Sequence, residues 1–312
     1  MTPAPELGIA TGSQTPGPRP GQLVTALGAP PVAILAAAST GFNAVTLRIE
    51  GPRADTRRDE AALAAMHRRR LTLDPHGFNE LRFTPTRCAV NRIGQESHLE
   101  LAGSLTDYAA YLAAQQTWDR LGDHTRRTRC QGGLATLGAH GVGVSSVVQC
   151  TDGRILLLQR SDATVWYPEH WAILAEGAAI HDVEVGSDGT PIWDPGVTAR
   201  RGLAEELGVA SREVAWRNVA LVADVTTGAL SILGRARIPY TSTEALAAWR
   251  DAPDADEAVA VELVAWEFDA LDEIATQLSP IVPVDAVALV GAFALDAGWA
   301  LCEARGWITT LE

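Results

Sequence analysis

The sequence predicts an α/β fold: a mixed sheet sandwiched by helices, preceded by a smaller α+β unit. Three observations predict it. Two apolar runs flank Asp152-Gly153 in "VVQCTDGRILLL", the strongest hairpin signal a short segment can carry. A helical pattern then opens at Asp194-Pro195 and closes at Gly208, with a capping residue, a first-turn proline and a terminal glycine in the expected order. Strand patterns recur beyond that helix at "NVALVADVT", "ALSILGRARIPY" and "AVAVELVAWEF". Strands on both sides of a helix, with more helices outside, describe a layered α/β domain.

The remaining elements follow in chain order. Residues 1–31 are rich in Pro and Gly with no period, and are expected to be a flexible tail. Residues 32–130 form the α+β unit. Within it "NAVTLRIE" reads as a strand and residues 55–70 as a helix; "LRFTPTRCAVNR" and "SHLELAG" read as a hairpin or two edge strands, and residues 106–121 as a second helix. A glycine- and arginine-rich stretch at 122–143 carries the unit boundary, and residues 131–312 form the larger domain. Helices at 269–277 and 284–305 close the chain.

Composition narrows the function classes. The 312 residues are 47% hydrophobic, enough for one large core or two modest ones. Lys+Arg is 25 against Asp+Glu 38, a net charge of -13, and every one of the basic residues is arginine. So acidic a surface disfavours a nucleic-acid partner, whose phosphates need cationic contacts. A small anionic substrate needs a metal ion or gathered arginines to offset the repulsion. Cys88, Cys130, Cys150 and Cys302 are far apart and form no Cys-x-x-Cys pair, so neither a disulfide framework nor a zinc knuckle is expected. The first residues lack a basic segment followed by an apolar core, and the apolar stretch 286–302 is short for a membrane span and contains Asp296. The expectation is a cytoplasmic protein in a reducing setting, with no membrane partner; nothing selects an oligomeric state.

The chemistry concentrates in residues 194–209. At about 100° per residue, Ala199, Leu203 and Leu207 form an apolar stripe. Arg201, Gly202, Glu205 and Glu206 fall on one arc away from it, with Thr198 near its centre. Adjacent carboxylates are what hard divalent cations require, since Mg2+ takes oxygen ligands and keeps waters for substrate phosphates. Arg201 precedes Glu205 by four residues, the less favourable order for helix stability, which points to an orienting role. A solvated helix face is the ordinary alternative for such a pair.

The run Arg201, Gly202, Leu203, Ala204, Glu205, Glu206, Leu207, Gly208, Val209 resembles the end of the Nudix box: Arg-Glu, an aliphatic, any residue, Glu-Glu, any residue, Gly, an aliphatic. Gly202 stands where the first glutamate is expected, and Trp193 where an upstream glutamate is expected. "WAILAEGA" resembles the strand entering the box, residues 180–193 an expanded loop, and "DEAVAVELVAWEFDALDEI" the later acidic strand and short helix. The resemblance covers residues 142–274. "DPHGFNELRF" and "HLELAGSLTDYAAYLAAQ" resemble the region preceding the Nudix domain in UDP-glucose/UDP-galactose diphosphatases.

The resemblance implies a Nudix-like α/β/α sandwich and hydrolysis, dependent on Mg2+ or Mn2+, of a nucleoside diphosphate linked to another moiety. A nucleotide sugar such as a UDP-sugar would yield a nucleoside monophosphate and a sugar phosphate. Glu205 and Glu206 would hold the metal and Arg201 would fix a carboxylate. Glu176 would stand in for the acid missing at Gly202, Glu257 would be a further metal ligand, and Glu262 a ligand or base. Arg160 would face the diphosphate, and Asn79 and Tyr108 the nucleoside, with packing, turns and surface salt bridges as the ordinary roles of such residues. Gly202 and Trp193 also fit the alternative, a non-catalytic module of this fold that binds a nucleotide metabolite.

Overall fold

The computed structural model describes residues 18–52, 58–73, 81–94, 96–138, 140–164, 166–185, 191–209, 214–267 and 269–311. The chain opens with β1 (Leu23–Ala26), β2 (Val32–Phe42), β3 (Ala44–Pro52) and α1 (Arg58–Leu73). The hairpin β4 (Leu81–Ile93) and β5 (Glu96–Asp107) leads to α2 (Tyr108–Asp119), α3 (Asp123–Gln131) and α4 (Leu134–Leu137). Next come β6 (Val142–Gln149), β7 (Arg154–Arg160), β8 (Trp171–Ala172), β9 (Leu174–Gly177), β10 (Val183–Val185), β11 (Pro191–Trp193) and α5 (Pro195–Leu207). The chain ends with β12 (Ala215–Asp224), β13 (Leu230–Arg237), α6 (Ser242–Arg250), β14 (Ala258–Ala265), α7 (Ala270–Gln277), α8 (Pro283–Ala297), α9 (Trp299–Ala304) and β15 (Ile308–Leu311).

The main sheet is mixed and runs β14-β7-β6-β13-β12-β2-β1-β15, with β8 added to β7 and β9 to β6. Among its described strands, β6 and β13 are the pair that runs in parallel. Strand alternation gives the sheet two buried faces. Ile34 and Val222 point to one, where they meet Val287 and Val290 of α8. Their neighbours Ala33, Leu35 and Leu221 point to the other, toward Phe83 and Leu99 of the separate sheet β3-β5-β4. Farther along that second face, Leu203 and Leu207 of α5 and Ala245 of α6 cover Leu156 and Leu158 of β7. The result is the expected α/β/α sandwich.

Four features depart from the sequence reading. Residues 23–26 are not tail: β1 pairs with β2 and with β15, and Leu23, Val24 and Ala26 are buried. The boundary near 130 does not divide the sheet either, because β2 lies against β12. "VAILAAA" is too continuously apolar for a half-exposed strand of a separate unit, and burial on both faces is the solution it finds. Helix α6 was not anticipated, although Thr241 and Glu244 form the capping box that marks its start. The C-terminal helix is broken at Gly298 (φ +86°) into α8 and α9. Among the described residues, no helix is long and apolar enough to cross a membrane.

The site lies where the sheet forks. Strands β6 and β7 share two rungs, Val148↔Leu156 and Gln149↔Ile155, beside the turn at Gly153 (φ +77°). Beyond them β6 takes β9 as its partner, from Ser146↔Leu174 to Gly143↔Gly177, while β7 takes β8 and β14.

Candidate active site

Helix α5 holds its side chains on a fixed frame. The Asp194 carboxylate accepts from the Gly196 N–H at 2.9 Å, Pro195 occupies the first turn, and Gly208 ends the helix in the left-handed region (φ +66°). The arc away from the apolar stripe is partly covered: Thr198 and Gly202 are buried, while Glu205 and Glu206 are half-buried. At Gly202 the cover is closest. A Cβ there would stand 2.9 Å from the Glu176 Cβ and 3.2 Å from Leu174 Cδ2, closer than side chains pack. The glycine lets β9 lie against the helix, and the Glu176 carboxylate reaches 3.0 Å from Arg201 Nη1. Burial raises the Glu176 pKa against the pull of Arg201.

Arg201 is the hub. Its Nε and Nη2 donate to the two oxygens of Asp182 at 3.1 and 3.0 Å, Nη2 also donates to the Gly177 carbonyl at 2.7 Å, and Nη1 donates to Glu205 at 3.0 Å. Such forked contacts fix a guanidinium far better than a single ion pair does. Asp182 accepts further from the Ala179 N–H and from the Thr198 hydroxyl, which itself accepts from Trp193 Nε1 at 2.9 Å. Trp193 is fully buried, edge-on to Phe83 with ring centres 5.0 Å apart. It is a structural anchor where the resemblance expected a glutamate. Sequence reasoning missed Asp182, since a lone acid in an expanded loop carries no pattern.

Burial alone would raise the Asp182 carboxyl, but the bonds from Arg201, Ala179 and Thr198 outweigh it and hold the group below the usual carboxylate range. Its contribution to stability is therefore whole above about pH 4 and is lost as pH falls through the lowered value. Asp182→Asn breaks a buried charge pair and is expected to cost on the order of 3 kcal/mol at pH 7. Thermal melts of variant and wild type should converge below about pH 4; a gap that stays constant with pH contradicts this assignment.

Glu206 leaves the helix toward a different cleft, lined by Arg160, Trp249, Asp254 and Glu257. Burial first, then the charges of Glu176 and Glu257, raise its pKa well above the ordinary value, with Arg160 opposing. Glu257 is raised by burial and by Asp254 and Asp256, again against Arg160. The structure thus places Arg201, Glu205 and Glu176 together on one flank of α5, and Glu206, Glu257 and Arg160 on the next.

Glu262 is not brought to this site. Its neighbours Val261 and Leu263 pack into the core under α5 and α6, so strand alternation sends Glu262 to the opposite face of β14, where it is exposed. Asn79 lies outside the described residues. Tyr108 and Arg160 both line a cavity of about 330 Å³ in the fork, into which Glu176 also opens. Tyr108 stacks on Tyr111 at 5.8 Å, and Arg82 lies over the Tyr108 ring at 5.8 Å. Trp166 and Tyr167 complete its aromatic wall. Among the described residues, no three His, Cys, Asp or Glu side chains stand in metal-holding geometry. The acids around Glu206 are an oxygen-only set, the donor type that hard divalent cations take.

No family model matches the chain, and no curated protein does. Solved structures similar to it include a mutT/nudix family protein from Listeria innocua, at 19% identity and TM-score 0.34 over 53% of this chain and 96% of that one. A MutT NUDIX hydrolase from Burkholderia pseudomallei matches at 18% identity and TM-score 0.31, over 48% and 95% of the two chains. The NUDIX domain of Shewanella oneidensis NrtR, complexed with ADP ribose, matches at 16% identity and TM-score 0.27, over 44% and 84%.

Proposed function

We propose that the chain is a diphosphatase that hydrolyses a nucleoside diphosphate linked to another moiety, with Mg2+ or Mn2+ as cofactor. A nucleotide sugar such as a UDP-sugar is the leading substrate class. The observation that carries this reading is the Glu176 carboxylate at Arg201, admitted by Gly202. It supplies from a strand the acid that the helix motif lacks.

Glu206 and Glu205 would hold the cation, with Glu176 and Glu257 completing the oxygen set. Closing that set needs the carboxyl groups of Glu176 and Glu205 to rotate from Arg201 toward Glu206. A divalent ion held there would neutralise diphosphate oxygens and lower the pKa of an attacking water. Arg201 restrains the carboxylates, and its own position is set by Asp182 and Thr198. Arg160 bounds both the acid cleft and the aromatic cavity, so it is placed to bind a diphosphate lying between them. The aromatic cavity takes the nucleoside. Water oxygen bonds to phosphorus, the bridging P–O bond breaks, and the products are a nucleoside monophosphate and a sugar phosphate. The four cysteines are free thiols.

The test is a panel of nucleotide sugars incubated with Mg2+ or Mn2+ and read by phosphorus NMR. Metal-dependent release of the two monophosphates is expected; unchanged substrates across the panel overturn the reading. The engagement of Arg201 with three carboxylates also supports a second reading, a module that binds a nucleotide metabolite without turnover. Saturable binding that is indifferent to metal, with no product, selects it.

A further inference from the structure

The cavity in the fork has a feature that diphosphate chemistry does not use. Asp285, in the first turn of α8, is 1% exposed and lines the cavity among buried residues. Its Oδ2 accepts from the Ile173 N–H at 3.2 Å, while Oδ1 has no hydrogen-bond partner. An unpartnered acceptor in a buried site is costly, and a donor entering the cavity would satisfy it. The neighbouring Ser145 hydroxyl lies 2.9 Å from the Ser231 hydroxyl and favours the ionised Asp285 carboxyl without closing Oδ1, and Asp224 accepts from Tyr167, Thr226 and Thr227. Asp285 Oδ1 is therefore an acceptor in this cavity with capacity to spare.

The aromatic wall sets the shape of what fits. Tyr108, Tyr111, Trp166 and Tyr167 offer flat faces and edges. Tyr167 is held in the left-handed region (φ +50°), a strained conformation for a bulky residue, with its hydroxyl tied to Asp224. A flat ring with a polar edge satisfies both the wall and the bare oxygen.

We infer that Asp285 is a specificity-determining residue that accepts an N–H donor from a nucleobase held in the aromatic cavity. The inference deepens the nucleotide reading above and borrows from it the identity of the ring. Burial pushes the Asp285 carboxyl up to about 7, against the Ile173 N–H, Arg160 of β7 and Ser145 of β6, and with Asp224 of β12 adding repulsion. The ionised form is costly in this buried position, and an N–H donor from the ring relieves that cost.

Metal-free calorimetry with uridine, guanosine, cytidine, adenosine and ribose tests this. At least one nucleoside should bind the wild type tenfold or more tightly than ribose does. In Asp285→Asn the amide oxygen keeps the Ile173 bond and the NH2 group faces the ligand's own donor, so that margin should vanish while ribose binding is unchanged. The variant should also melt above the wild type at pH 8, with the gap narrowing toward pH 5. The sign follows from a raised carboxyl pKa, which costs the folded state progressively as pH rises from about 4 to about 7. A variant that melts higher and binds worse separates lost recognition from lost folding. Four nucleosides that bind no better than ribose, or a margin that survives in Asp285→Asn, overturn the inference. Neither metal nor turnover enters the measurement, so hydrolysis can fail while this holds, and the reverse.

Discussion

Glu206→Gln is expected to lower hydrolysis of the best nucleotide sugar by about a hundredfold or more, while the protein melts no lower than the wild type. The two effects share one cause. Glu206 is pressed among Glu176, Glu257 and Asp254 with Arg160 as the opposing charge, and the folded chain pays for that crowding. Glutamine keeps the shape and removes the charge, so the repulsion is relieved. The same substitution removes a charged oxygen from the set proposed to hold the cation. Loss of activity with preserved or raised stability is the signature of a strained functional group. Kinetics at saturating Mn2+ and differential scanning calorimetry of the same samples check both halves. Unchanged kcat removes Glu206 from the mechanism.

Gly202→Glu is expected to lose activity rather than gain it, although it restores the residue that the Nudix pattern has at this place. A Cβ at 202 meets the Cβ of Glu176, an atom fixed to the strand backbone and unable to swing away. Overpacking of this kind costs about 1–3 kcal/mol, more than the roughly 1 kcal/mol a helix gains on losing glycine. Strand β9 would be pushed off α5, carrying Glu176 from Arg201. Glu176→Gly combined with Gly202→Glu clears that contact and moves the acid from strand to helix. The double variant should therefore recover part of the activity and stability the single one loses. Urea melts and hydrolysis rates of the three variants decide it. Higher activity in the single variant would mean a decayed site, contradicting one rebuilt around the glycine.

Much of this was legible in the residues. The Asp152-Gly153 hairpin and helix α5, from its Asp194 cap to Gly208, are local features, and local signals set them. The missing acid was legible as a gap, because its partners Arg201, Glu205 and Glu206 sit on one helix. Other parts depend on contacts far apart in the chain. The strand β1 is ordered by β15, nearly the whole chain away, and β2 by β12. Asp182 matters only because the loop folds back on Arg201, and Glu262 drops out because register, invisible in composition, turns it to the other face. Asp285 is one of two acids in an apolar helix until α8 is packed across the fork.

The central claim is that α5 and its neighbours hold a divalent cation through Glu206. Electron paramagnetic resonance of Mn2+ titrated into the full chain tests it most directly. One Mn2+ should bind per chain in the wild type, with affinity raised by a non-hydrolysable nucleoside diphosphate, and binding should fall by at least about tenfold in Glu206→Gln. Free Mn2+ signal undiminished by the wild-type protein, with and without the diphosphate, would contradict the account.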